Sequence, residues 1–244
     1  MAERVPGGGR GTAGSAAGPL QVHQVLSPLL GARCTVLAGS AGCVVVDAGA
    51  LVADEVERVV RATGRPPRAV LATHGHLDHV WDAGVLADRL DVPVVLHPDD
   101  RYRLDDPVGT LGLPVELLGV AGLDVGGYRP PSDVRTLDDP SLLALLDLGG
   151  VRVEPLPAPG HTEGSTLYLL ASPDARPLVL TGDVLFAGSV GRTDLPGGDG
   201  AAMARTLRTV VARLEARTVL LPGHGPTTDL ATELATNPYL RPAR

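Results

Sequence analysis

Three of the chain's seven histidines fall within six residues, in the stretch Thr73-His74-Gly75-His76-Leu77-Asp78-His79-Val80, with a carboxylate among them. Without a cation such groups would repel and desolvate one another, so their density predicts a metal site. In an extended segment side chains repeat every two residues, so His74 and His76 can face the same ion. Asp78 and His79 are adjacent and run past it, which suits a second ion. A helical zinc motif would need two histidines four apart, and Gly75 argues against a helix here. Imidazole and carboxylate together suit Zn, Fe or Mn, and no cysteine lies near these motifs.

The elements that must position these groups end where the chemistry begins. Five apolar runs lead into a histidine or an aspartate. Cys43 to Val46 ends at Asp47, and Ala69 to Ala72 leads to His74. Val153 to Pro159 leads through Gly160 to His161. Leu178 to Leu180 leads through Gly182 to Asp183, and Val219 to Leu221 through Gly223 to His224. Strand tips are rigid and the loops after them can converge, which is how a sheet builds a pocket at one edge. The other two histidines, His23 and His97, read as ordinary surface or strand-end residues. Asp47 by itself would pass for a turn residue.

Alternation and turn signals predict strands at Leu20–Leu26, Ala32–Ala38, Cys43–Val46, Arg68–Thr73, Val92–Leu96, Leu142–Leu148, Val151–Leu156, Thr166–Leu170, Leu178–Leu180 and Thr218–Leu221. Helical spacing predicts helices at Val52–Ala62, Ala83–Leu90, Asp99–Leu104, Ala201–Ala216 and Asp229–Ala235. Asp105 to Asp139 is rich in Gly, Pro and Leu and reads as an inserted specificity loop or lid. The two kinds of element alternate without a linker. That predicts one domain over residues 20–244, with sheets inside and helices outside, after a disordered tail at 1–19.

Composition narrows the function. The net charge is −7 and aromatic residues make up 2% of the chain. A nucleic-acid binder needs a basic track and stacking platforms, so that class is excluded, as is attachment to an anionic membrane. No apolar run is long enough to span a bilayer, and the first nineteen residues have no secretory h-region. Cys34 and Cys43 flank a hairpin but are offset along it, so two reduced, buried thiols in a cytoplasmic protein are expected.

These motifs together resemble the metallo-β-lactamase superfamily. They are the strand-end Asp47, His-x-His-x-Asp-His at His74 to His79, Pro159-Gly160-His161-Thr162, Thr181-Gly182-Asp183 and Pro222-Gly223-His224-Gly225. The resemblance implies an α/β fold, a four-layer αβ/βα sandwich with a binuclear centre. It implies that His74, His76 and His161 hold one divalent ion and Asp78, His79 and His224 another. Asp183 would bridge them, with Asp47 supporting the site from behind.

The finer resemblance is to short bacterial glyoxalase II-like hydrolases (hydroxyacylglutathione hydrolases), carried by Leu185 to Asp199 and by Gly223-His224-Gly225-Pro226 with Asn237-Pro238-Tyr239-Leu240. It implies a zinc-dependent thioesterase, with Fe or Mn as other metals. Hydroxide between the two ions would attack an S-acyl thiol such as an S-lactoyl thioester. Asp78 and Asp183 are the catalytic carboxylates in that reading. Arg192 would orient a substrate carboxylate, unless it is tied up by Asp194. Tyr239 would line the pocket or pack the last helix. A small acyl-thiol is the expected partner, and the chain is expected to be a monomer or small homo-oligomer. A persulfide dioxygenase with one iron on His74, His76 and His161 is the rival, since it shares the segment Gly191 to Asp194.

Overall fold

The computed structural model describes residues 20–112, 118–119, 122–171 and 176–240. The tail expected at 1–19 lies outside the described residues. Strands β1 (Gln21–Leu26), β2 (Arg33–Ala38) and β3 (Cys43–Val46) form an antiparallel meander. All four residues of β3 are buried, as a run of valines covered on both faces requires. Helix α1 (Ala53–Thr63) carries the chain to β4 (Pro67–Leu71), parallel to β3. It stops at Gly64, whose φ of 65° is the left-handed conformation of a helix C-terminus. A short helix α2 (Leu77–Val80), then α3 (Ala83–Leu90), leads to β5 (Val94–Leu96).

Strand β6 (Val134–Thr136) completes a six-stranded sheet in the order β1-β2-β3-β4-β5-β6. A helical turn α4 (Leu142–Leu145) then precedes β7 (Arg152–Pro157), β8 (Thr166–Ala171) and β9 (Leu178–Gly182). A two-stranded ribbon, β10 (Leu185–Phe186) and β11 (Ser189–Val190), follows. Helix α5 (Gly200–Thr209), β12 (Val219–Pro222), β13 (Thr228–Asp229) and α6 (Leu230–Thr236) close the chain. The second sheet has the order β13-β12-β9-β8-β7.

Side-chain alternation assigns the layers. Val44, Val46, Leu71 and Val95 of the first sheet meet Tyr168, Leu170, Leu180 and Leu221 of the second. On the far face of the first sheet, Val45, Val70 and Val94 lie under Val56, Val60 and Leu86 of α1 and α3. On the far face of the second, Leu167, Val179 and Leu220 lie under Met203 and Leu207 of α5. The result is helix, sheet, sheet, helix, the four-layer α/β sandwich expected. Backbone and side-chain bonds then stitch the sheets together at one edge. Thr166 N–H donates to Thr73 O at 2.8 Å, Arg33 N–H to Gly223 O at 2.8 Å, and the Tyr168 hydroxyl to Ala72 O at 2.9 Å. That edge is where the ligand-bearing loops emerge.

Several expectations need correction. Leu142–Leu148 is not a strand. Leu142 and Leu146, four apart, both enter the inter-sheet core, so a helical turn buries them where alternation would not. Helix α5 ends at Thr209 rather than Ala216, at the β-branched run Thr209-Val210-Val211, and a 3₁₀ turn spans Val211–Arg213. The strand expected from Val92 begins at Val94. Asp105–Asp139 is not irregular throughout. It contains β6, and its Val108, Leu111, Leu118 and Leu123 pack on Leu77 and Trp81, pinning α2. Asp78 and His79 therefore sit on a short helix that begins just after His76, not on a continued extended segment. Cys34 and Cys43 are free and buried, and Cys43 pairs across the ladder with Ala38. Among the described residues no helix is long and apolar enough to cross a membrane.

The seam between the sheets is tested by Leu71→Ala. Leu71 is fully buried there, so removing it costs about 2–5 kcal/mol, read as a lower urea midpoint at unchanged slope. A cost under about 1 kcal/mol would mean the seam collapses around the gap and does not set the sheet separation.

Candidate metal centre

The site is built outward from Asp47. It ends β3 with a φ of 59°, a left-handed conformation that only a few non-glycine types tolerate, Asp among them. This turns its carboxylate toward the start of the histidine cluster. Oδ1 accepts from Thr73 N–H at 2.7 Å and Oδ2 from the Thr73 hydroxyl at 2.8 Å. Oδ2 also lies 3.0 Å from His79 Nδ1.

These contacts decide which imidazole nitrogens carry protons. A carboxylate can only accept, so His79 Nδ1 donates. The Thr73 hydroxyl has given its proton to Asp47, so it accepts from His74 Nδ1 at 3.1 Å. His161 Nδ1 donates to Arg192 O at 2.8 Å, and His224 Nδ1 to Leu30 O at 3.1 Å. All four rings therefore turn Nε2 inward, the atom a metal ligand offers.

The free atoms converge in three groups: His74, His76 and His161; His74, His79 and Asp183; and Asp78, His79 and His224. Within each group the donor atoms lie within 4.8 Å of one another. His224 Nε2 is 3.2 Å from Asp78 Oδ2 and 3.3 Å from His79 Nε2. Asp183 stands between the outer two groups, with Oδ1 3.4 Å from His79 Nε2 and Oδ2 3.7 Å from His161 Nε2. Ligands about 2.1 Å from a tetrahedral ion lie roughly 3.4 Å apart, so these spacings suit coordination.

Two observations test whether a cation fits. Seven buried side-chain polar atoms among the described residues lack a hydrogen-bond partner. Four are His74 Nε2, His76 Nε2, His161 Nε2 and Asp183 Oδ1. Each such atom costs about 1–3 kcal/mol, and all four belong to groups that could hold a cation. Protonation agrees. Burial, then the neighbouring imidazoles, hold His74 well below the usual histidine range. Burial and His161 push His76 down to about 3. His161 is lowered by burial, although Asp183 opposes it. These three are neutral donors. Burial also acts against charge on His79, but Asp183, Asp78 and Asp47 outweigh it and raise the ring. His224 is raised in the same way, by Asp78 and Asp183. There the carboxylates favour a proton where a cation would bind, so a cation and that proton would compete. The donor set fits divalent metal.

The remaining expected residues fall outside the cluster. The Arg192 guanidinium makes two bonds to Asp194, at 2.7 and 2.8 Å, and both side chains are exposed. Its main-chain oxygen is what touches His161. Tyr239 is exposed. Both line a cavity of about 860 Å³ beside Met203 and Leu207, and no candidate ligand lines it. His23 is exposed on β1, and His97 Nδ1 accepts from Asp99 N–H at 3.2 Å to start a 3₁₀ turn.

Thr73, Asp100 and Arg103 were not foreseen. Thr73 is the one polar side chain between an apolar strand and His74, a signal that was available. Asp100 and Arg103 are fully buried, but in Pro98-Asp99-Asp100-Arg101-Tyr102-Arg103 they look like the solvated face of a short helix.

Residues 28–224 match the metallo-beta-lactamase superfamily. The chain belongs to that superfamily. An uncharacterized protein of Mycobacterium tuberculosis is 39% identical over 216 residues, covering 87% of this chain and 94% of that one. A hydroxyacylglutathione hydrolase, GloC, of Haemophilus influenzae is 30% identical over 177 residues, covering 71% and 76%. The solved structure of TTHA1623 in a di-iron-bound form is 33% identical with a TM-score of 0.71, covering 90% of this chain and 100% of that one. The metallo-beta-lactamase fold and a His/Asp cluster suited to divalent metal therefore stand together in this chain.

Gly223 offers a direct test of the cluster. A Cβ built there would overlap Asp183 Oδ1 and lie 2.7 Å from His79 Cε1. Gly223→Ala should weaken metal binding by roughly tenfold or more, measured by chelator competition. Unchanged affinity would show that Asp183 and His79 do not need their present spacing.

Proposed function

We propose that this chain is a metallohydrolase of the glyoxalase II-like type, a thioesterase that cleaves a small S-acyl thiol such as an S-lactoyl thioester. One observation carries the reading. Asp78, His79 and His224 form a second donor group beside His74, His76 and His161, and Asp183 lies between the two. The similarity to GloC, named as a hydroxyacylglutathione hydrolase, supports the substrate class. Two divalent ions, zinc in our reading with iron or manganese as alternatives, would supply Lewis acidity that polarises a carbonyl and acidifies water near neutral pH.

The chain's own residues do the rest. Asp78 and Asp183 are held below the usual carboxylate range because nearby imidazoles, His79 first, outweigh burial. They are therefore ionised at neutral pH, and Asp78 Oδ2 can accept a hydrogen bond that orients a proton of an attacking water. Asp47, through Thr73 and directly, keeps His74 and His79 turned with Nε2 inward. In this reading Arg192 exchanges its pairing with Asp194 for a substrate carboxylate, and Tyr239 flanks the same cavity. Specificity belongs to residues 105–139, packed against the helix of Asp78 and His79. The protein would work in the cytoplasm as a monomer or small homo-oligomer, apart from nucleic acid and membranes.

A second reading has its own support. His74, His76 and His161 form a neutral, buried trio that would hold a single iron, as a persulfide dioxygenase requires. The two separate on one assay: protein of known metal content against a panel of acyl thioesters, with an oxygen electrode beside the thiol readout. Thiol release without oxygen uptake is expected. Asp183→Ala and His79→Ala should each lower it by at least about 10²-fold. Full hydrolysis in either variant would sink the two-ion reading, and oxygen uptake on a persulfide would replace the hydrolase by the dioxygenase.

A further inference from the structure

We propose that Asp100 is a positioning residue, which clamps the loop of His74 and His76 to the loop of His161 and so sets the geometry of that trio. The inference rests on the metal-centre reading above and goes beyond it. Asp100 touches no ligand atom, but its carboxylate takes four hydrogen bonds. Oδ2 accepts from Gly75 N–H at 2.8 Å and from the Thr162 hydroxyl at 2.8 Å. Oδ1 accepts from Gly164 N–H at 3.0 Å and from Arg103 Nε at 3.3 Å. Gly75 lies between the two histidines of the first loop. Thr162 and Gly164 lie just after His161. The loops leave different sheets, one following β4 and the other joining β7 to β8. A single carboxylate therefore spans the gap between the sheets.

His76 shows why the clamp matters. Among the described residues it is the one clustered histidine whose Nδ1 has no hydrogen bond; Thr73, Asp47, Arg192 and Leu30 hold the others. Its direction depends on the backbone at Gly75, which Asp100 grips. The packing leaves no slack. A Cβ at Gly164 would lie 2.7 Å from Asp100 Cγ, and one at Gly75 would lie 2.7 Å from Arg103 Cβ.

The cost of this arrangement argues the same way. Asp100 and Arg103 are both fully buried. Arg103 also donates to Glu163 at 2.7 Å and to Pro196 O at 2.9 Å. Burying such a pair stabilises little, and apolar side chains of similar volume often serve as well. What apolar side chains cannot do is hold Gly75, Thr162 and Gly164 on one anion.

The test is zinc titration of the full chain against a chromophoric chelator, with the metal-free thermal midpoint measured alongside. The step belonging to the trio is the one that His161→Ala removes. Asp100→Asn offers one acceptor oxygen instead of two. It should weaken that step by about 10–100-fold and leave the other within about twofold. Thr162→Val removes one of the four donors with the charge pair intact, and it should weaken the same step by roughly 3- to 10-fold. If Asp100→Asn does not fold, Thr162→Val decides alone. Wild-type affinity at the trio in the variant that folds overturns the proposal. Equal loss at both steps, tracking a lowered metal-free midpoint, also overturns it by showing a merely structural role. A wild-type chain that binds neither zinc nor iron would instead break the metal-centre reading, and the proposal would fall with it.

Discussion

Five imidazoles and two carboxylates share one buried space, and no distribution of protons satisfies them all. The outward nitrogens of His74, His79, His161 and His224 are committed to Thr73, Asp47, Arg192 O and Leu30 O. Their Nε2 atoms must therefore face inward, toward one another. At His74, His76 and His161 burial keeps the rings neutral and their lone pairs without partners. At His79 and His224 the carboxylates draw protons in. In the first half electron pairs converge on a point that a cation would relieve, and in the second a cation would take the place of the protons. Frustration of this kind persists only if the surrounding structure prevents relaxation.

That prevention comes from how the sheets meet. The apolar seam of Leu71, Val46, Tyr168 and Leu180 holds them face to face. The seam is non-directional, so it does not by itself fix where strand tips sit relative to one another. Hydrogen bonds at the site edge do. Thr73 and Thr166 join β4 to β8, Ala72 and Tyr168 reinforce them, and Arg33 joins β2 to the end of β12. Asp47 and Asp100 then act as two anionic knots behind the cluster. One collects Thr73 and His79, and the other collects Gly75, Thr162 and Gly164. Neither lies among the converging donors, yet each links segments that carry them.

This division explains what could be read from the chain alone. His74, His76, Asp78, His79, His161, Asp183 and His224 stood out because histidines are few here and each lies just past an apolar run. The layer order was legible because alternation along β3, β4, β8 and β9 separates two buried faces. Leu142–Leu148 was not legible, because a nearly unbroken leucine run offers a strand and a helical turn the same composition. Helix α2 is not legible from the sequence, because a helix of four residues leaves no period to detect. Asp100 and Arg103 escaped because an aspartate and an arginine three apart on a polar turn look solvated. Their burial follows from the loop joining β7 to β8 and the segment around Pro196 closing over them, and those segments are about sixty and ninety residues further along the chain.

The groups that choose a substrate obey a different logic from the groups that act on it. A ligand set is constrained by convergence, so its residue types are confined to strand tips and show as a pattern. A recognition group has to stay accessible, and accessible arginines and tyrosines are what any soluble surface carries. Arg192 illustrates the point: its guanidinium is satisfied by Asp194, two residues away, while its main-chain oxygen fixes His161. The same residue thus contributes a geometric constraint through its backbone, while its exposed side chain pairs locally with Asp194. Residues 105–139 repeat the arrangement on a larger scale. Val108, Leu111, Leu118 and Leu123 pin α2 from one side, so a change at any of them also pulls on the helix of Asp78 and His79. In the proposed reading, substrate selection and ion geometry are therefore mechanically linked, through packing rather than through shared ligands.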